Sequence, residues 1–316
     1  MNAQAATLKR RAATASVATA LFLGILKAVA AWKTGSIAML ASLADSGLDL
    51  VASLVTLFGV HVASQPADDD HRFGHGKAEA LAALFQVMII TGSAIFILIR
   101  AVQRFSEGAV SADAEYGIAV SVIAIVVTLA LTRYQAYVLS RTTSLAIGTD
   151  NLHYKSDLFL NLSVILALVL EQYAGLTGAD PVLGIAIALW LLYGAWSASV
   201  HAINELMDRE WPEEKRRHFI EVASRHPELK GMHDLRTRTS GDRDFVQFHI
   251  WVAPHATVRE AHDIMDSIEA LLAKEFPETE VLIHVDPEGL VDEGARFAKV
   301  DEVTALDDEH GEAKPA

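Results

Sequence analysis

The sequence predicts a chain of two parts, an all-α membrane domain of six spanning helices followed by a small α+β domain, and three observations predict it. At 52% hydrophobic residues and a mean hydropathy of +0.28, the chain is too apolar for an ordinary solvated surface. Long apolar runs fill the first two thirds, and charge returns in quantity only after Met207. Beyond that point the long runs give way to short segments with the alternation of soluble strands and helices.

A helix needs roughly 20 mainly apolar residues to cross a hydrocarbon core of about 30 Å. Stretches near 12–32, 36–64, 79–105, 115–139, 145–174 and 179–206 qualify, giving a membrane domain over 1–207. Lys9, Arg10 and Arg11 before the first run resemble the start of a secretory signal, but further apolar spans follow, so an uncleaved first helix is the simpler expectation. With six spans, Lys9, Arg10, Arg11, Arg72, Lys77, Arg133 and Arg141 fall on one side, which reads as cytoplasmic and puts both termini there. Arg100 and Arg104 stand on the other side, against Glu107, Asp113 and Glu115 in the same loop.

The second domain is expected over 208–290. A helix from about Pro212 to Arg225 precedes a strand over Asp234 to Thr239, a turn, and a strand over Phe245 to Val252. A helix from Val258 to Phe276, ended by Pro277, then leads to a strand over Glu280 to Val285. The order αββαβ fits a two-layer domain of the ferredoxin-like kind. Residues 291–316, acidic and ending in Pro-Ala, read as a disordered tail.

Charge and composition narrow the chemistry. The net charge of −14, from 40 acids against 26 bases, argues against nucleic acid, since neutralising phosphates needs a basic surface, and makes cations the partners to expect. With no cysteine there are no disulfides and no thiolate ligands, so a bound metal must take oxygen and imidazole donors.

The second and fifth spans carry acids at mid-span. Asp45 and Asp49 are four apart, as are His153 and Asp157, so each pair leaves one face of its helix. One or two such acids could sit at the water interface or pair with Lys155. Each charge in the bilayer core costs roughly 2.5–3.5 kcal/mol even on the lenient insertion scale, so three carboxylates together call for a compensating cation. Three carboxylates and an imidazole match the four positions of a tetrahedral zinc ion. Binding needs ionised Asp and neutral His, so loading metal releases protons and protonation releases metal, the chemistry of a proton-coupled exchanger.

These motifs resemble the cation diffusion facilitators. The resemblance spans nearly the whole chain and rests on SIAMLASLADSGLD (Ser36–Asp49), QPADDDHRFGHGKAE (Gln65–Glu79), DNLHYKSD (Asp150–Asp157), HDLRTR (His233–Arg238), Gln247-Phe248-His249 and IHVDP (Ile283–Pro287). It implies six transmembrane helices, a cytoplasmic ferredoxin-like domain, and a homodimer in the cytoplasmic (inner) membrane that exchanges Zn2+ for H+ by alternating access. Asp45, Asp49, His153 and Asp157 correspond to the family's transport site, and His with Asp on the fifth helix goes with zinc and cadmium. Asp68, His71 and His75 correspond to a loop metal site, although Asp69 and Asp70 beside Asp68 blur which carboxylate coordinates. His233, His249, His262, His284 and Asp286 correspond to a metal cluster at the dimer interface of the soluble domain, where zinc would have a structural or regulatory role. His284 and Asp286, two apart on a strand, share a face that His249 could join from its neighbour. Val285 departs from the pattern: a relative carries glutamine there, and valine supplies no ligand. Lys77 and Asp208 match charged residues placed at the junction of the two domains, a hinge position.

Other classes remain as alternatives. An intramembrane zinc enzyme would need an open coordination position, yet the quartet uses all four and no H-E-x-x-H occurs, so the chain does not read as an enzyme. Iron(II) or cadmium could replace zinc as the main ion, and a membrane sensor could bind metal without moving it.

Overall fold

The structure is a computed structural model describing residues 3–34, 37–107, 115–174, 179–289 and 302–303. It divides into two compact units, Met1–Leu206 and Met207–Ala316.

The first unit consists of α1 (Ala3–Thr34), α2 (Ile37–Ala63), α3 (Ala78–Glu107), α4 (Glu115–Leu139), α5 (Leu145–Ala174) and α6 (Ala179–Leu206). The shortest, α4, has 25 residues, about 37 Å at 1.5 Å per residue, so each helix is long enough to cross a bilayer. Among the described residues, five carry stretches apolar enough to do so: Gln4–Lys33, Ser42–Ala63, Ala78–Gln103, Val120–Leu139 and Pro181–Leu206. The remaining helix, α5, bears Asp150, Asn151, His153, Lys155 and Asp157 in its first half.

Helix α1 begins well before its apolar run, because Ala, Gln, Lys and Arg are strong helix formers and extend it at little cost. Lys9 lies in this extension and is buried, its Nζ 3.1 Å from Glu79 on α3. The helices meet through small residues. Ala12 and Ala13 of α1, Ala82 of α3 and Ala146 of α5 share one buried cluster; Ala80, Ala83 and Ala202 form another. Such contacts let backbones approach where lipid removes the usual hydrophobic drive between helices. Gly59 shows why: a Cβ there would run into Ala82 and the Ala78 carbonyl. Large apolar side chains such as Phe22, Phe58, Met88, Phe96 and Trp196 face outward, as a lipid-facing surface requires.

The second unit runs α7 (Glu213–Ser224), β1 (His233–Ser240), β2 (Arg243–Val252), α8 (Val258–Glu275) and β3 (Thr279–Pro287), the αββαβ order read from the sequence. Strands β1 and β2 form an antiparallel hairpin, closed by Gly241 at φ 63°, a left-handed conformation that suits glycine. β3 lies parallel to β2, so α8 serves as the crossover. Thr257 and Glu260 start α8 with a capping box. The core packs Phe219 and Ile220 of α7, Ile268 and Leu272 of α8, and Phe248, Ile250 and Ile283 of the sheet.

The expected disordered tail lies outside the described residues except for Glu302 and Val303. Glu302 donates its backbone N–H to the Met232 carbonyl at 2.8 Å and pairs with Arg216 at 2.5 Å, while Val303 packs against the core.

Candidate metal centres

Three groups of carboxylates and histidines converge among the described residues. The first lies within the helical unit. Successive turns of α5 bring Asp150, His153, Tyr154 and Asp157 to one face, and α2 presents Asp49 to it. His153 Nε2 is 3.0 Å from Asp49 Oδ1, and Asp49, His153 and Asp157 each offer one ligand atom within 4.8 Å of the other two. His153 is 4% exposed. Asp45, one turn before Asp49, is exposed and stands outside this group.

The α5 half of the group is held by a polar network the sequence reading did not assign. Buried Asp150 accepts from Ser16 Oγ of α1 at 2.5 Å, Gln86 Nε2 of α3 at 3.0 Å and Gln135 Nε2 of α4 at 2.6 Å. Tyr154 donates to the Ser16 carbonyl at 3.1 Å and shares a 2.8 Å bond with Ser53 of α2. Asn151 donates to Gln135 and to the Thr132 carbonyl, each at 3.1 Å. Asp150 lies three before His153 on the same face, so the helical period could have flagged it. The helices on which Ser16, Gln86 and Gln135 would meet it could not be read from that spacing.

The second group is the turn after α2. Asp68 Oδ1 accepts the backbone N–H groups of His71 at 2.6 Å and Asp70 at 3.1 Å, an Asx-type turn that folds the chain back on itself. His71 Nδ1 then sits 3.1 Å from Asp68 Oδ1, and His75 Nε2 3.3 Å from Oδ2. The His71 backbone bond is the main reason the Asp68 carboxyl titrates below its ordinary range. Against some desolvation, the side-chain bond and charge of His71 and the charge of His75 act in the same direction. Asp69 and Asp70 are not in the group, and Asp69 faces Arg72 at 3.9 Å.

Strand register builds the third group. His233 of β1 is opposite His249 of β2, which is opposite His284 of β3, so three histidines form one row across the sheet. Asp286 Oδ2 lies 2.9 Å from His249 Nδ1 and 3.2 Å from His233 Nε2, and its Oδ1 lies 3.3 Å from His284 Nε2. Burial works to raise the Asp286 carboxyl. The hydrogen bond from His249 and the charges of His249, His284 and His233 outweigh it and hold the group below its ordinary range. Asp234, at φ 52°, adds a carboxylate 3.7 Å from His249 Nε2 that the sequence reading did not single out. Val285 points to the opposite face and packs against the core.

His262 is not brought to this cluster within one chain. It lies on α8, exposed, with Nε2 3.7 Å from Asp266 one turn on. Lys77 donates to the Leu206 carbonyl at 3.3 Å, where the C-terminal end of α6 favours a cation. Asp208, in its own unit, has φ 55° and lies 3.6 Å from Arg238.

Bilayer-length helices with carboxylates and an imidazole gathered at mid-span define a multi-pass membrane protein organised around cations. The Cation efflux transmembrane domain profile matches residues 13–207, and the Cation efflux protein, cytoplasmic domain profile matches 211–288. The chain is 42% identical to the cation-efflux pump FieF of Pectobacterium atrosepticum, over 94% of this chain and 98% of that one. It is 42% identical to the FieF of Serratia proteamaculans, over 93% and 98%. The solved metal-bound C-terminal domain of the CzcD transporter from Thermotoga maritima matches at 28% identity, covering 26% of this chain and 99% of that one, with a TM-score of 0.24. The chain belongs to the cation diffusion facilitator family and is a cation efflux transporter.

Proposed function

We propose that this transporter exports Zn2+ from the cytoplasm in exchange for H+, as a homodimer working by alternating access in the cytoplasmic membrane with both termini inside. The observation that carries the reading is the meeting of Asp49 with His153 and Asp157 from two helices at mid-span, an oxygen and imidazole donor set without sulfur. In this reading Asp45 completes the set to four. It stands one turn from Asp49 on the same face of α2.

Exchange follows from the ligands themselves. The imidazole must shed its proton and the carboxylates must be ionised to hold the ion, so a proton entering from the outer side competes directly with the metal. Binding alone moves nothing; the two facing states must differ in their affinity for ion or proton.

Asp68, His71 and His75 are taken as a loop site for ion capture or regulation. His233, His249, His284 and Asp286 are taken as a regulatory cluster, completed by His262 from the second copy. Zinc there would draw the two soluble domains together, with Lys77 and Asp208 at the hinge. Zinc-loaded proteoliposomes under an imposed pH gradient test the exchange, and absence of gradient-driven flux refutes it. Asp49→Ala should abolish flux while the dimer persists; retained flux refutes the site. If substituting His249 and His284 leaves the zinc dependence of transport unchanged, the regulatory reading fails.

A further inference from the structure

Lys27 lies on α1 at membrane depth, half-buried, in a mainly apolar run. An uncompensated cation at that depth is costly, and intramembrane lysines pair with acids or carbonyls. The Lys27 Nζ donates to the Ser42 carbonyl of α2 at 3.4 Å. Ser42 is three residues before Asp45, so the ammonium sits about one turn from that carboxylate on a stem of four flexible carbons. Asp45 and Asp157 both lie within electrostatic range of it. Lys155 is placed differently, two residues from both His153 and Asp157 and therefore on the far side of α5 from them.

The charges explain the placement. Three carboxylates holding a divalent ion with neutral imidazole retain one negative charge, and one ammonium beside them brings the loaded site to zero. A neutral site crosses between two facing states through low dielectric at far less cost than a charged one. The same ammonium repels the bound ion and so works against trapping it.

We propose that Lys27 is the resident counter-charge of the transport site, offsetting the residual negative charge of the metal-loaded carboxylates and weakening metal affinity enough for release. This rests on the site reading given under Proposed function.

The test is zinc flux into proteoliposomes by Lys27→Met and Lys27→Arg proteins, with KM and turnover measured separately. Lys27→Met should lower both KM and turnover on the order of tenfold, the equivalent of about 1.4 kcal/mol in affinity. Lys27→Arg, which keeps the charge, should stay near wild type in both. A purely structural lysine would not divide KM from turnover in this way. Unchanged KM in Lys27→Met, or loss in Lys27→Arg equal to that in Lys27→Met, overturns the proposal. Should Lys27→Met not purify, Lys27→Gln takes its place under the same criteria. An Asp49→Ala protein measured alongside separates the two readings: if it keeps its flux the site itself is misassigned, and if it is inactive an unaltered Lys27→Met result refutes only the counter-charge.

Discussion

Replacing Asp150 with leucine should loosen the helical unit by an amount that its three hydrogen bonds set. The carboxylate accepts from Ser16, Gln86 and Gln135, on three different helices, and all four side chains are buried. A buried donor left without its acceptor costs about 1–3 kcal/mol. Each of these donors retains another contact: Ser16 with the Ala12 carbonyl, Gln86 with Thr56, and Gln135 with Ser16. The low end of the range therefore applies, about 1 kcal/mol for each and about 3 kcal/mol in total. On the scaling of soluble domains of similar size, that lowers Tm by roughly 6–12 °C. Asparagine keeps the shape and one acceptor oxygen, and the hydroxyl and amide groups around it can turn to suit, so Asp150→Asn should lose only about 1 kcal/mol. Thermal unfolding of the detergent-solubilised proteins, followed by loss of the monodisperse elution peak, reads the difference. If Asp150→Leu melts with the wild type, or with Asp150→Asn, the network is not what ties α1, α3 and α4 to α5.

Metal binding in the loop should depend on Asp68 alone among its three consecutive acids: Asp68→Ala removes one zinc equivalent by equilibrium dialysis, while Asp69→Ala and Asp70→Ala leave the count unchanged. For Asp286, whose carboxyl is depressed in the fold, the stabilising contribution is complete above the unfolded value of about 3.9 and is lost as pH falls through the lower folded value. Chelator-treated protein should show no loss from this group between pH 8 and 5, with unfolding of the C-terminal unit made easier by Asp286→Ala across that range. Gly231→Ala should destabilise the same unit by more than the 1 kcal/mol or so typical of point changes, because φ there is 55° and the Trp251 ring occupies the place of a Cβ. Denaturation followed by tryptophan fluorescence checks it, and a wild-type midpoint would show that the ring can move aside.

Much of this molecule was legible from periodicity. The αββαβ order followed from the switch between alternating and helical patterns, and the pairing of Asp45 with Asp49 and of His153 with Asp157 followed from the helical turn. What periodicity cannot convey is which faces meet. The cost of buried charge and the resemblance, not periodicity, joined the two pairs into a set of four; the structure gathers Asp49, His153 and Asp157, with Asp45 a turn away. The resemblance groups His262 with the soluble-domain histidines; within one chain α8 carries that side chain to an exposed face beside Asp266, so any meeting with the cluster needs a second copy. The count of basic residues at the span ends includes Lys9, which the structure buries against Glu79.

By itself, then, the sequence determined what local chemistry governs: helices long and apolar enough for lipid, donor types restricted to oxygen and imidazole, and pairs of ligands one turn apart. Contacts between residues far apart in the chain belong to the tertiary structure. The strand register that aligns His233, His249 and His284 is one such contact, since a shift of one residue would turn a strand's side chains to the other face. The packing that sets Lys27 beside Ser42 and rings Asp150 with three donors is another. Spacing along one helix fixes direction only relative to that helix, and a partner from another element is chosen by how whole faces pack.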